Sequence, residues 1–181
     1  MSEDPARVPG ESRDWTFVLE SGCRECGWEP TPDVGRLREA LTRALGAWPA
    51  LLAGPEAAVR PEPTVWSAIE YGSHVRDMAR LLGLRVASML EADDPQFVNW
   101  DGDVANVVRR DWDADPAALI RDIARAGEEA AAQLDRVGPA DLGRRGHRGD
   151  GVPFTVLSLL QFVEHDISHH VADVRRAGAQ T

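Results

Sequence analysis

Residues 155–178 read TVLSLLQFVEHDISHHVADVRRAG. Thr155 can cap a helix, and Val156, Leu160, Val163, Ile167, Val171 and Val174 recur at three- and four-residue steps, so the stretch predicts an amphipathic helix that stops at Gly178. His165 and His169 lie off that apolar stripe, on a side shared with Phe162 and Ala172 and bordered by Ser158. Residues four apart on a helix differ by about 40° in direction, so these two imidazoles can present nitrogens to one ion. His170 points about 100° away from His169 and falls outside the pair. The helical wheel alone leaves two readings open, a ligand pair or a polar stripe facing water.

Three more helices are readable outward from this one. Asp33 caps a run in which Val34, Leu37, Leu41, Leu45, Trp48 and Leu52 keep helical spacing until Gly54 and Pro55. A second begins near Thr64, behind Pro61 and Pro63, and carries Val65, Ile69, Met78, Leu81, Leu82, Val86 and Met89 as far as Asp93, Asp94 and Pro95. Asp115 caps a third, with Pro116 at its first position, running through Leu119, Ile123 and Leu134 to Gly138 and Pro139. Residues 96–114 predict an ordered crossover loop with room for a short helix, and the glycine-rich residues 138–153 predict a loop. No segment alternates as a strand would, and no fixed repeat is present. The expected fold is all-α, an up-down-up-down four-helix bundle over residues 33–178 with a long loop between its second and third helices. Residues 1–32 form an N-terminal leader, polar and flexible to residue 14, followed by a segment carrying Cys23 and Cys26.

A chain of 181 residues with 43% apolar and 28% charged side chains can bury a single core unaided. Its formal net charge of −10 would repel a phosphate backbone. The one dense basic run, Arg144, Arg145, His147 and Arg148, is flanked by Asp141 and Asp150, so nucleic acid is not an expected partner. No signal peptide or apolar span is evident, which predicts a cytoplasmic protein with no membrane contact. Two cysteines are too few for a disulfide framework. In the sequence CRECG they suit a pair of thiols, a redox couple or half of a metal site.

Two histidines hold a metal weakly, so a third protein ligand is needed. His74 is the helical histidine left to supply it, on a stripe with Tyr71, Met78 and Leu81. These features, HxxxH at His165 to His169 within HDISHHVADV and the distant His74 in EYGSHVRDM, resemble the DinB/YfiT-like metalloenzyme family. The resemblance covers roughly residues 33–178 and implies a four-helix bundle with a divalent metal, zinc or nickel, bound by His74, His165 and His169. The wider superfamily implies S-transferase chemistry with a low-molecular-weight thiol, and the Arg- and Ala-rich composition resembles the branch that uses mycothiol. The mycothiol-dependent isomerases of that superfamily use a glutamate among their ligands, and the three-histidine pattern departs from them.

An open position on a three-histidine ion holds water or a thiolate, so thiol transfer to a small electrophile is the first expectation. A non-catalytic, stress-related metal-binding protein and a metal-dependent hydrolase are the alternatives. Glu70, four residues before His74, is the candidate carboxylate for orienting a ligand or moving a proton, while Glu164 and Asp166 point off the HxxxH face. Tyr71 and Trp100 are candidate substrate contacts, and Leu159 and Phe162 suggest a homodimer face.

Overall fold

A computed structural model describes residues 4–10 and 13–179. Four helices form the bundle: α1 (Val34–Gly46), α2 (Ala68–Glu91), α3 (Pro116–Leu134) and α4 (Val156–Gly178). Asp33, Ser67, Asp115 and Thr155 cap them, each accepting a hydrogen bond from a backbone N–H of the first turn. The expected first helix divides at Ala47, beyond which Trp48–Leu51 makes a separate turn. Pro49 has no N–H with which to continue the ladder. α2 starts at Ser67 rather than near Thr64, because Ser67 and Glu70 close a reciprocal capping box.

α2 packs on α3 and α4, and α1 packs on α4 and α3, so chain neighbours α1 and α2 sit across the bundle from one another. Long connections make that order accessible. The core between the helices holds Trp48, Leu82, Met89, Ile123, Leu160 and Ile167, all essentially without exposure. Burying a Leu, Ile or Met side chain stabilises by roughly 1.5–3 kcal/mol. Leu159 is fully buried within the chain and Phe162 packs on Phe154, which accounts for the two residues that suggested a dimer face.

The crossover between α2 and α3 contains a helix, Gly102–Arg109, capped by Asp101. The connection before α4, expected to be loop throughout, contains a hairpin of β1 (Arg145–His147) and β2 (Pro153–Thr155). Three-residue strands are too short to show an alternating pattern. The basic run belongs to this connection: Arg144 donates to the carbonyls of Met89 and Ala92 at the end of α2, and Arg148 pairs with Asp150. The N-terminal segment is laid against the bundle. Asp4 pairs with Arg110, and the turn Val18–Ser21 packs on α4 with Val18 fully buried. Among the described residues no helix is long and apolar enough to cross a membrane.

Glu70 is completely buried, and its carboxylate is taken up by Arg60, by the backbone and hydroxyl of Ser67, and by Asn106. Those bonds commit it to anchoring the start of α2, not to the proton-transfer role expected of it. Burial favours its neutral form, but the hydrogen bonds from Arg60 and Ser67 outweigh burial and hold the carboxyl below its ordinary 4.5. A depressed folded-state pKa means stability that is fully present above 4.5 and lost as pH falls through the folded value. Glu70→Gln is expected to cost about 3 kcal/mol at neutral pH by stranding the Arg60 charge. In urea unfolding, the gap between variant and wild type should narrow as the buffer is acidified.

Candidate metal centre

α4 carries two i,i+4 pairs offset by one residue, His165/His169 and Asp166/His170. The offset turns them about 100° apart, so they face different neighbours. Asp166 and His170 meet His74 of α2, and His165 and His169 meet Cys23 and Cys26 of the N-terminal segment. Within each group the ligand atoms lie within 4.8 Å of one another. The expected set of His74, His165 and His169 is therefore not brought together: among the described residues no such cluster contains all three. Asp166 and His170, set aside because they fall off the HxxxH face, are the residues that reach His74. The signal was present as a DxxxH with the same spacing.

In the first cluster His74 Nε2 lies 3.1 Å from Asp166 Oδ2, and His170 Nε2 lies 3.7 Å from Asp166 Oδ1. Nδ1 of His170 is 3.1 Å from Asp173 Oδ2, so that ring is oriented by a carboxylate behind it. Burial pushes the Asp166 carboxyl up, but His74 and His170 together outweigh it and hold it at about 2. Burial lowers His170, and Asp166 and Asp173 reverse the effect and raise it. The cluster therefore attracts positive charge, and two imidazoles with one carboxylate suit a divalent transition metal with positions left open. His74 Nδ1 faces Gly102, where a Cβ would approach to 2.8 Å. Only glycine lets the crossover helix start this close to the ring.

These residues line a cleft of about 1070 Å³. Tyr71 stacks on His170 with ring centroids 4.9 Å apart, and Trp100 lies 5.3 Å from His74, so both expected substrate contacts border the cleft beside the cluster. Burial, reinforced by the charge of Asp173, keeps the Tyr71 phenol protonated. Arg148 and Arg176 also line the cleft, paired with Asp150 and Asp173 of the same walls.

The second cluster is drier. His165 and His169 are 2% and 6% exposed, although the wheel allowed them to face water. Burial pushes His165 down to about 4, and it also lowers His169 against the pull of Asp173. Burial thus favours the neutral form of both rings. Burial raises the Cys26 thiol to about 11, which tells against a reactive redox thiol. Glu164 is buried as well, accepting from the Trp28 indole N–H and from Ser168.

Fold and cluster together define an all-helical bundle with a histidine and carboxylate centre at the wall of a cleft. The family model for the DinB superfamily matches residues 36–174, and the chain belongs to that superfamily. Among solved structures, YfiT from Bacillus subtilis is similar at a TM-score of 0.69 and 16% identity, covering 84% of this chain and 93% of that one. YfiT is described as a probable metal-dependent hydrolase with an unusual four-helix bundle topology, and the likeness extends to the fold. No curated protein matches the sequence.

Asp173 stands behind His170 and also lies 3.4 Å from His169 Nε2. Asp173→Ala is expected to weaken divalent-ion binding at the cleft by about 10–100-fold. Competition against a chromogenic chelator measures it; an unchanged affinity would mean that His170 needs no such support.

Proposed function

We propose that this chain is a divalent-metal-dependent enzyme working in the cleft, in which a low-molecular-weight thiol of the mycothiol type is transferred to a small electrophile. The observation that carries the reading is the placement of His74, Asp166 and His170 at the wall of a cleft of about 1070 Å³. Single-ligand pockets run to roughly 300–1,000 Å³, so there is room for a thiol and its acceptor together. An ion such as zinc or nickel held by those three residues would lower the pKa of a bound thiol or water.

The chain's own side chains supply the rest. Asp173 accepts from His170 Nδ1 and fixes the tautomer that turns Nε2 towards Asp166. Tyr71 retains its proton and can donate it in a hydrogen bond to an oxygen of the acceptor. Trp66 and Trp100 border the cleft and narrow the access of water. A cytoplasmic setting, where both substrate thiol and protein thiols stay reduced, fits this chemistry.

Hydrolysis by bound water is the second reading, supported by the description of YfiT and by the same open centre. One assay separates them: consumption of an activated alkyl or aryl electrophile with and without the thiol, before and after chelation. Thiol-dependent turnover should fall on the order of a thousandfold in His170→Ala or on chelation, the loss of several kcal/mol of transition-state stabilisation. Turnover that ignores the thiol but needs the ion would assign hydrolysis. Full activity in the variant would remove the cleft cluster from the reaction.

A further inference from the structure

We propose that Cys23, Cys26, His165 and His169 form a second, closed metal site, a four-coordinate zinc centre that fastens the N-terminal segment to α4. The site is built from other ligands than the cleft cluster, although Asp173 stands behind one histidine of each.

The loop is built for the role. Cys23 N–H donates to Trp28 O at 2.8 Å and Gly27 N–H to Cys23 O at 2.8 Å, so residues 23–28 turn back on themselves and bring both sulfurs together. Gly27, at φ +75°, supplies the left-handed residue the turn requires. On the facing helix His165 and His169 stand one turn apart, with His169 Nδ1 3.6 Å from Cys23 Sγ. All four donors lie within 4.8 Å of one another. Metal–donor bonds of about 2.0–2.3 Å in a tetrahedron separate donors by roughly 3.3–3.8 Å, so only a slight contraction is required.

Two further observations point to an ion. His165 Nε2 is buried with no hydrogen-bond partner among the described residues. His169 turns Nδ1 to the sulfur and Nε2 towards Asp173 at 3.4 Å and Glu25 at 3.8 Å, the orientation a carboxylate imposes on a ligating histidine. Two thiolates and two imidazoles are a donor set suited to zinc. Trp15 covers both histidines, tilted against His165 at 5.8 Å and edge-on to His169 at 5.0 Å, and Trp28 lies edge-on to His165 at 5.2 Å. Four protein ligands would leave the ion no open position, which makes the site structural even though His165, His169 and Trp15 also border the cleft.

The test is metal content and cobalt spectroscopy on the full chain. Protein grown with zinc should lose one bound zinc per chain in Cys23→Ser/Cys26→Ser while retaining the metal that His74→Ala/His170→Ala loses. Cobalt-loaded wild type should show the near-ultraviolet charge-transfer absorption of thiolate ligation together with intense visible tetrahedral bands, and His74→Ala/His170→Ala should keep both. Should the cysteine variant fail to fold, the wild-type cobalt spectrum decides alone. Absence of the thiolate band, or a Cys23–Cys26 disulfide in the mass of the freshly purified protein, would overturn the proposal.

Discussion

The structure depends on withdrawing the polar flanks of α4 from water. Its apolar stripe packs into the bundle as any amphipathic helix would, but Glu164, His165 and His169 on its margins are also buried. A buried polar group without a partner is costly, so each must be answered from another part of the chain. α2 brings His74 to one margin, and the N-terminal segment brings Trp28 to Glu164 and Cys23 to His169 on the other. The placement of the N-terminal segment against α4 answers two of those demands directly, at Glu164 and at His169.

The electrostatics of the two margins are joined through one carboxylate. Asp173 lies within reach of His169 Nε2 and His170 Nδ1, and Arg176 donates to its other oxygen. Charge added at either histidine alters the balance felt by the other, as the opposing effects of Asp166, Asp173 and the neighbouring imidazoles on these rings indicate. α4 thus serves as scaffold and as ligand source at once, and its register fixes which donors meet His74 and which meet Cys23 and Cys26.

The bundle was legible because its determinants are local and periodic. Asp33, Asp115 and Thr155 mark helix starts correctly, and the apolar spacing identifies all four helices. Pro61 and Pro63 point to a start of α2 near Thr64, whereas the Ser67/Glu70 box sets it at Ser67, and the hairpin leaves no local pattern because its strands are held by pairing across a loop. The candidate centre was half legible. Spacing on α4 identified residues able to share an ion, but which pair meets His74 depends on the rotation of α4 about its axis relative to α2, and no local pattern encodes that. Burial of His165 and His169 was hidden for a similar reason: the covering residues lie far away in sequence, in a segment read as a leader. Glu70 looked available because helical spacing places it near His74, while Arg60, outside the helix, claims its carboxylate.

The docking of Cys23 beside His169 carries a consequence for the order of assembly. The contact spans 146 positions of sequence, and its helix is the last of the four to be synthesised. Until that helix is in place, Cys23 has no histidine to close upon, and Trp15, which borders the cleft, has no seat. Such non-local closure is slow relative to helix formation. The cleft is thus completed only when the N-terminal segment meets α4, so a chain still lacking that helix owns no finished pocket.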